Sequence, residues 1–84
     1  MRLKVVFEGV TTEHVVTPLI EYNFEQQFKD GLGPTLSKGR NSDVYWLAWE
    51  CLRLSGTTVP PFGPDFLSKL ESADFVEEPT RPNG

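Results

Sequence analysis

The stretch from Asn41 to Gly56, NSDVYWLAWECLRLSG, constrains the fold of this 84-residue chain more than any other segment. At about 100° per residue, its apolar side chains recur at the i, i+3, i+4, i+7 spacing of a buried helix face. The stripe consists of Val44, Leu47, Ala48 and Cys51, and it is widened by Tyr45, Trp49, Leu52 and Leu54. The sequence predicts a central helix over residues 42–55. Either the rest of a small domain packs on several of its sides, or one side is kept for another chain.

The remaining positions of this helix form a charged strip of Asp43, Glu50 and Arg53, and Trp46 falls inside it. Two interpretations of Trp46 are open. Its ring belongs to the core, under the N-terminal strands or the proline-rich loop, or it is an interface anchor of the kind that often dominates binding energy. Tyr22, which projects away from the apolar face of the preceding helix, allows the same two interpretations.

Size and composition bound the class of protein. A chain of 84 residues makes one domain at most, and its single cysteine excludes an intramolecular disulfide and a zinc knuckle. We see neither a signal peptide nor a membrane-spanning segment. The net charge of −4 and the pI of about 4.8 argue against nucleic acid or an anionic membrane as the main ligand. A small, acidic, cytosolic protein is expected.

The N-terminus predicts an antiparallel hairpin. Residues 2–8, RLKVVFE, alternate in the period-2 pattern of a half-buried strand, with Leu3, Val5 and Phe7 on one side. Residues 9–12 are expected to form the turn, and the β-branched segment 13–17 is expected to be the second strand. Because an isolated hairpin is marginal in water, something must cover its apolar face.

Two further helices flank the central one. Thr17 and Pro18 provide an N-cap and a first helical position, and the face that follows contains Ile20, Phe24, Gln27 and Phe28. Leu32 and Leu36 are expected to anchor a glycine-containing loop over residues 31–40. After the proline-rich segment 57–64, residues 64–72 are expected to form a short third helix that docks through Phe66, Leu67 and Leu70.

These elements predict an α+β fold, with an N-terminal antiparallel β-hairpin followed by three helices. Residues 1–72 are expected to form a single small domain. Residues 73–84, ADFVEEPTRPNG, are acidic and rich in proline, and we expect them to form a flexible tail.

No pattern typical of catalysis is visible. His14 has no acidic or cysteine partner nearby in sequence, and Cys51 falls on an apolar stripe, where cysteine usually behaves as a small hydrophobe. Residues 31–34, GLGP, lack the strand and the GK[ST] ending of a phosphate loop, and the C-terminal carboxylates lack calcium-loop spacing. We therefore expect no enzymatic activity, no cofactor and no metal site.

Three segments together resemble a known family. The segments IEYNFEQQF (20–28), VYWLAWECLRLSG (44–56) and FGPDFLSKLE (62–71) resemble the small tail assembly chaperones of long-tailed bacteriophages. The resemblance covers about residues 18–71, and its motifs are short and apolar. The residues that match are Phe24, Glu25, Phe28, Trp46, Leu47, Ala48 and Trp49. The chain departs from the family in opening with a predicted hairpin, where many relatives are mainly helical.

The resemblance implies an assembly factor of the host cell cytoplasm that is absent from the mature virion. It would bind the tape measure protein, keep it soluble and help to recruit tail tube subunits. Self-association is compatible with that role, as is a longer product made by ribosomal frameshifting. For such a partner we expect contacts from exposed rings and charges of the two longer helices: Tyr22, Glu25, Trp46, Trp49, Glu50 and Arg53.

Two other classes stay open at this point. A structural virion component, such as a head–tail or tail accessory subunit, would use the hairpin to pair with neighbouring subunits by edge-strand addition. An acidic inhibitor or anti-defence protein would mimic nucleic acid, but the carboxylates cluster at the C-terminus instead of lining a helix face.

Overall fold

A three-stranded antiparallel sheet and three helices make up the part of the chain that the computed structural model describes, residues 1–28 and 41–76. In chain order the elements are β1 (Arg2–Phe7), β2 (Val10–Val15), α1 (Pro18–Phe28), α2 (Asn41–Leu54), α3 (Pro64–Lys69) and β3 (Leu70–Val76). The α+β class is confirmed. The predicted loop and its anchors Leu32 and Leu36 lie outside the described residues, as does the segment 77–84.

The N-terminal hairpin forms with a tighter turn than the sequence suggested. Phe7 pairs with Val10, so Glu8 and Gly9 alone make the turn, and both have positive φ, 51° and 78°. Positive φ at both central residues is the signature of a type I′ turn, whose twist matches that of the strands. The prediction of a turn over residues 9–12 was wrong, because Val10, Thr11 and Thr12 already pair with β1.

Capping contacts are present at the predicted start of α1 and at the end of α2. The backbone N–H of Ile20 donates to Thr17 Oγ1 at 3.4 Å, which satisfies one free donor at the start of α1. Helix α2 ends in a Schellman motif: the N–H of Thr57 donates to the Leu52 carbonyl at 3.1 Å, and that of Gly56 to the Arg53 carbonyl at 3.2 Å. Gly56 lies at φ 93°, the left-handed conformation that this motif requires.

The C-terminal part of the described chain differs from the prediction. Helix α3 ends at Lys69, and Leu70–Val76 forms strand β3, which pairs antiparallel with β1. Residues 70–72 are therefore not helical, and residues 73–76, expected to begin a flexible tail, lie in the sheet. The strand order is β2–β1–β3, so β1 is central and both other strands are edges.

The core lies between one face of the sheet and the helices. Leu3, Val5 and Phe7 point from β1 towards the helices and are buried, as the alternation predicted. From the helices, the core contains Ile20, Phe24, Trp46, Leu47, Ala48, Cys51, Leu52 and Phe66. Gln27, which was expected on the buried face of α1, is exposed. Each fully buried large apolar side chain contributes about 1.5–3 kcal/mol, so α2 is held mainly by packing.

Candidate functional site

Trp46, one of the six predicted partner-binding residues, belongs to the core. Its side chain is only 6% exposed. Its ring meets Phe24 and Phe28 edge-on, at centroid distances of 5.9 and 5.6 Å, and lies 6.0 Å from that of Trp49. These edge-to-face contacts are a favourable geometry for aromatic pairs. Of the two interpretations of Trp46, the structure supports the core position, and the ring offers almost no surface to a partner.

Glu50 is buried as well, at 2% exposure, and so is Asp43, at 4%, so the prediction of an exposed charged strip on α2 holds only for Arg53. The Glu50 carboxylate accepts a hydrogen bond from Asn23 Nδ2 at 2.7 Å and one from Arg53 Nε at 2.8 Å. A second guanidinium nitrogen, Arg53 Nη2, also lies 2.8 Å from Glu50 Oε1, the oxygen that accepts the hydrogen bond from Nε. A buried carboxylate requires such partners, and Asn23 ties α1 to α2 through them.

Arg53 and Trp49 extend this network to the surface. The Arg53 guanidinium lies 5.5 Å from the centre of the Trp49 ring, within the range of a cation–π contact. The indole N–H of Trp49 donates to the Pro60 carbonyl at 2.8 Å, and its ring meets Phe62 edge-on. Trp49, Glu50 and Arg53 are thus brought together, but their polar groups already bond within the chain. The arrangement fixes the segment after α2 onto the helix.

Tyr22 and Glu25 remain on the surface of α1. Tyr22 is 60% exposed, and Glu25 is exposed too. Of the six predicted partner residues, these two and Arg53 are therefore accessible, Trp49 is half-buried, and Trp46 and Glu50 are in the core.

His14 and Cys51 have structural surroundings. The imidazole Nε2 of His14 lies 2.8 Å from Thr12 Oγ1, within hydrogen-bonding distance, and partial burial lowers the pKa of the imidazole. Burial, assisted by the neighbouring Glu50 carboxylate, raises the pKa of the Cys51 thiol to about 11. At neutral pH this thiol is protonated, which is unfavourable for a nucleophile. Within residues 1–28 and 41–76, no group of three potential ligands is placed to hold a metal ion.

An apolar surface lies between β2 and α2. Two adjoining depressions there form what we call the edge groove. One depression is lined by Phe7, Glu8, Val10, Thr12, Leu52 and Thr57. The other is lined by Glu13, His14, Val15, Thr17, Leu19, Ile20, Cys51, Leu54 and Ser55. They adjoin because Thr12 precedes Glu13 directly, and Cys51 precedes Leu52.

Three exposed apolar side chains line the edge groove, and the sequence did not indicate any of them as a binding residue: Val10 (61% exposed), Leu19 (56%) and Leu54 (42%). Val15, 55% exposed, borders the groove from the open face of the sheet, on which it lies opposite Arg2. Tyr22 follows Leu19 by three residues, so it extends this surface along α1. The only sequence signal was local. Leu19 is an apolar residue outside the stripe of its helix, Leu54 lies at the margin of the stripe on α2, and Val15 points away from the face of the sheet that carries Leu3. Sequence spacing alone could not bring them together.

Comparison of the chain with protein-family models, with curated proteins and with solved structures found no match. In the part of the chain that is described, no helix is both long enough and apolar enough to cross a membrane. The candidate site therefore rests on its geometry: an apolar groove beside an edge strand, on an acidic protein.

Proposed function

We propose that this protein is a non-enzymatic tail assembly chaperone of a long-tailed bacteriophage, which holds the tape measure protein through the edge groove. In this proposal it acts in the host cell cytoplasm, helps to recruit tail tube subunits and is absent from the mature virion. The observation that carries the proposal is the exposure of Val10, Leu19 and Leu54 beside β2, an edge strand of the sheet that the described residues form.

Apolar surface of this kind favours protein binding over small-molecule chemistry. Exposed apolar patches on small proteins are typical of interaction sites, and a groove gives them the shape to exclude water around a partner. The excess of acidic residues disfavours nucleic acid as the partner and favours a client with basic segments.

The family resemblance supports the phage context through residues that stabilise the fold. Phe24, Trp46, Leu47 and Ala48 match the family pattern and are all buried, so the shared motif describes how α1 packs on α2. Client contacts are then expected from residues outside the motif, which in this chain are those of the edge groove.

A matched pair of substitutions tests the proposal. Leu54→Lys places a charge in the edge groove, whereas Leu67→Lys places the same charge on α3, which does not line the groove. The two leucines are similarly exposed, 42% and 38%, and each is in or next to the last turn of its helix. A lysine therefore complements the dipole equally in both positions.

Each variant would be co-expressed with the tape measure protein encoded in the same genome, and the soluble complex quantified by size-exclusion chromatography. The wild type and Leu67→Lys are expected to yield a soluble complex with a client that is insoluble alone. Leu54→Lys is expected to weaken it about tenfold or more, as burial of a charge at an interface centre does. If the wild type elutes alone and the client stays insoluble, the chaperone proposal is wrong.

A structural virion subunit is the second candidate, and the two edge strands of the sheet formed by the described residues favour it. Copies joined edge to edge would form a continuous sheet in the particle. Mass spectrometry of purified phage particles separates the candidates, because a structural subunit is present in fixed stoichiometry and a chaperone is missing.

A further inference from the structure

The backbone of β2 offers hydrogen-bonding groups to an additional strand. Val16 N–H donates to the Met1 carbonyl at 2.9 Å, and Phe7 pairs with Val10 across a two-residue turn. In an antiparallel ladder such pairs alternate with pairs whose backbone groups point away from the neighbour. The N–H and C=O groups of Thr11, Glu13 and Val15 therefore point away from β1, along the outer edge of the sheet.

The face of the sheet away from the helices carries a row of alternating charge. Lys4 of β1 lies directly opposite Glu13 of β2 and Asp74 of β3, and all three side chains are exposed. Directly opposed residues on neighbouring strands interact, and opposite charges stabilise the pair. Lys4 flanks Glu13 on the side of β1. On the other side of Glu13, a cationic residue of an added strand would continue this alternation of charge.

The other face of an added strand would meet the edge groove. Thr12 and His14 are on the helix side of β2, because their partners Val5 and Leu3 are core residues. Residues placed opposite Thr12 and His14 would project over the groove, towards Leu52 and Leu54. An apolar side chain is favoured there, since it would bury the exposed apolar surface of Val10, Leu19 and Leu54.

We propose that the edge groove takes an extended segment of a partner protein, which adds to β2 as a fourth strand with a lysine or arginine opposite Glu13 and apolar residues on either side of it. This inference rests on the proposed function, since it names the kind of client segment that the groove holds. It makes the bound client segment a strand of alternating apolar and basic residues.

Among the described residues, the two edge strands of a second copy do not have this chemistry. On the open face, β2 presents Thr11, Glu13 and Val15, and β3 presents Ser72, Asp74 and Val76. Neither edge strand brings a cation to Glu13, and Asp74 would repel it if the two were directly opposed. Charge complementarity therefore favours a different chain as the occupant.

Two peptides test the proposal directly, TVTVKVTVT and TVTVEVTVT. Each reads the same in both directions, so the result does not depend on strand orientation, and the two differ only in the central charge. The full isotope-labelled protein would be titrated with each peptide by NMR. The lysine peptide is expected to bind about fivefold more tightly than the glutamate peptide, and to slow solvent exchange of the Thr11, Glu13 and Val15 amides.

Charge reversal supplies the matched control. Glu13→Lys is expected to invert the peptide preference. Asp74→Lys changes the net charge equally, on the same face and in the same row, but at the opposite edge of the sheet. It is expected to retain the preference for the lysine peptide. Equal effects of the two variants would show a general field effect in place of a direct pair, and would overturn the proposal.

Three other outcomes also overturn it. In the first, neither peptide binds at millimolar concentration. In the second, binding shifts the NMR signals of Leu19 and Leu54 without slowing solvent exchange of the three edge amides, as a docked helix would. In the third, those amides become protected with rising protein concentration alone, which indicates a second copy. If the tape measure protein still co-elutes in any of these cases, the chaperone proposal stands and only the strand proposal is wrong.

Discussion

Glu50 shows how a charged residue becomes part of the core. Its carboxylate is 2% exposed, and hydrogen bonds from Asn23 and Arg53 replace the water that it has lost. Arg53 is three residues away, so its pairing with Glu50 was readable from helical spacing. Asn23 is 27 residues earlier in the chain, and no local pattern links the two. The burial of Glu50 therefore depends on a tertiary contact, which is why the sequence suggested an exposed charged strip instead.

Trp46 gives the prediction that belongs to this scale. Trp46→Ala removes a ring that touches Phe24, Phe28 and Trp49, and leaves a cavity between α1 and α2. We expect the free energy of unfolding to fall by about 3–5 kcal/mol, measured by urea denaturation. Tyr22→Ala is the control, because Tyr22 is 60% exposed and its truncation should change stability by about 0.5 kcal/mol or less.

The opposite result would identify Trp46 as a surface residue. If Trp46→Ala keeps the stability of the wild type and abolishes client binding, the ring acts at the interface and its position in the core is wrong. A comparable loss of stability in both variants would instead indicate that Tyr22 is packed against a part of the chain.

At the scale of elements, those with local signals were the predictable ones. The alternation in residues 2–8, the Thr17–Pro18 start of α1 and Gly56 after α2 all act within a few residues, and the structure has each of them. Strand β3 has no such signal. LESADFV follows a helix directly and becomes a strand because β1, more than sixty residues earlier, supplies its partners. Propensity is a weak guide where pairing is non-local.

Gly56 provides the prediction at this scale. Its φ of 93° is unfavourable for any residue with a Cβ, although a Cβ there would meet nothing within 4 Å. Gly56→Ala should therefore lower stability by about 1–2 kcal/mol through backbone strain alone. Gly63→Ala is the control, because Gly63 has extended backbone and its Cβ would lie 4.0 Å from the Pro61 carbonyl oxygen, an ordinary contact.

Thermal and urea unfolding of both variants would check this. The Gly63 variant is expected to match the wild type within about 0.5 kcal/mol, since reduced freedom of the unfolded chain offsets small losses. An unchanged stability of Gly56→Ala would contradict the Schellman ending of α2.

At the scale of the whole molecule, the two ends of the described chain meet in the sheet. Strand β1 lies between β2 and β3, so the sheet is completed only when residues 70–76 return to the N-terminus. The edge groove is likewise a property of the folded chain, because its lining comes from residues between Phe7 and Thr57. The sequence could indicate that apolar side chains were in excess, but their common location follows from topology. This is the physical reason that the candidate site was not predicted.

The return of the chain makes a prediction that separates the sheet from a flexible tail. Phe75 and Asp74 are neighbours in β3, but Phe75 packs against the core while Asp74 is exposed on the open face. Phe75→Ala should lower the free energy of unfolding by about 1–3 kcal/mol, less than a fully buried ring would, because Phe75 is only half-buried. Asp74→Ala removes a surface charge opposite Lys4 and should cost about 0.5 kcal/mol or less. Urea denaturation of the two variants gives the comparison.

If neither substitution changes the free energy of unfolding, residues 73–76 do not belong to the sheet, and the end of the domain lies at residue 72. A loss confined to Phe75→Ala can arise only if this segment packs on the core, which requires the chain to close its sheet with β3.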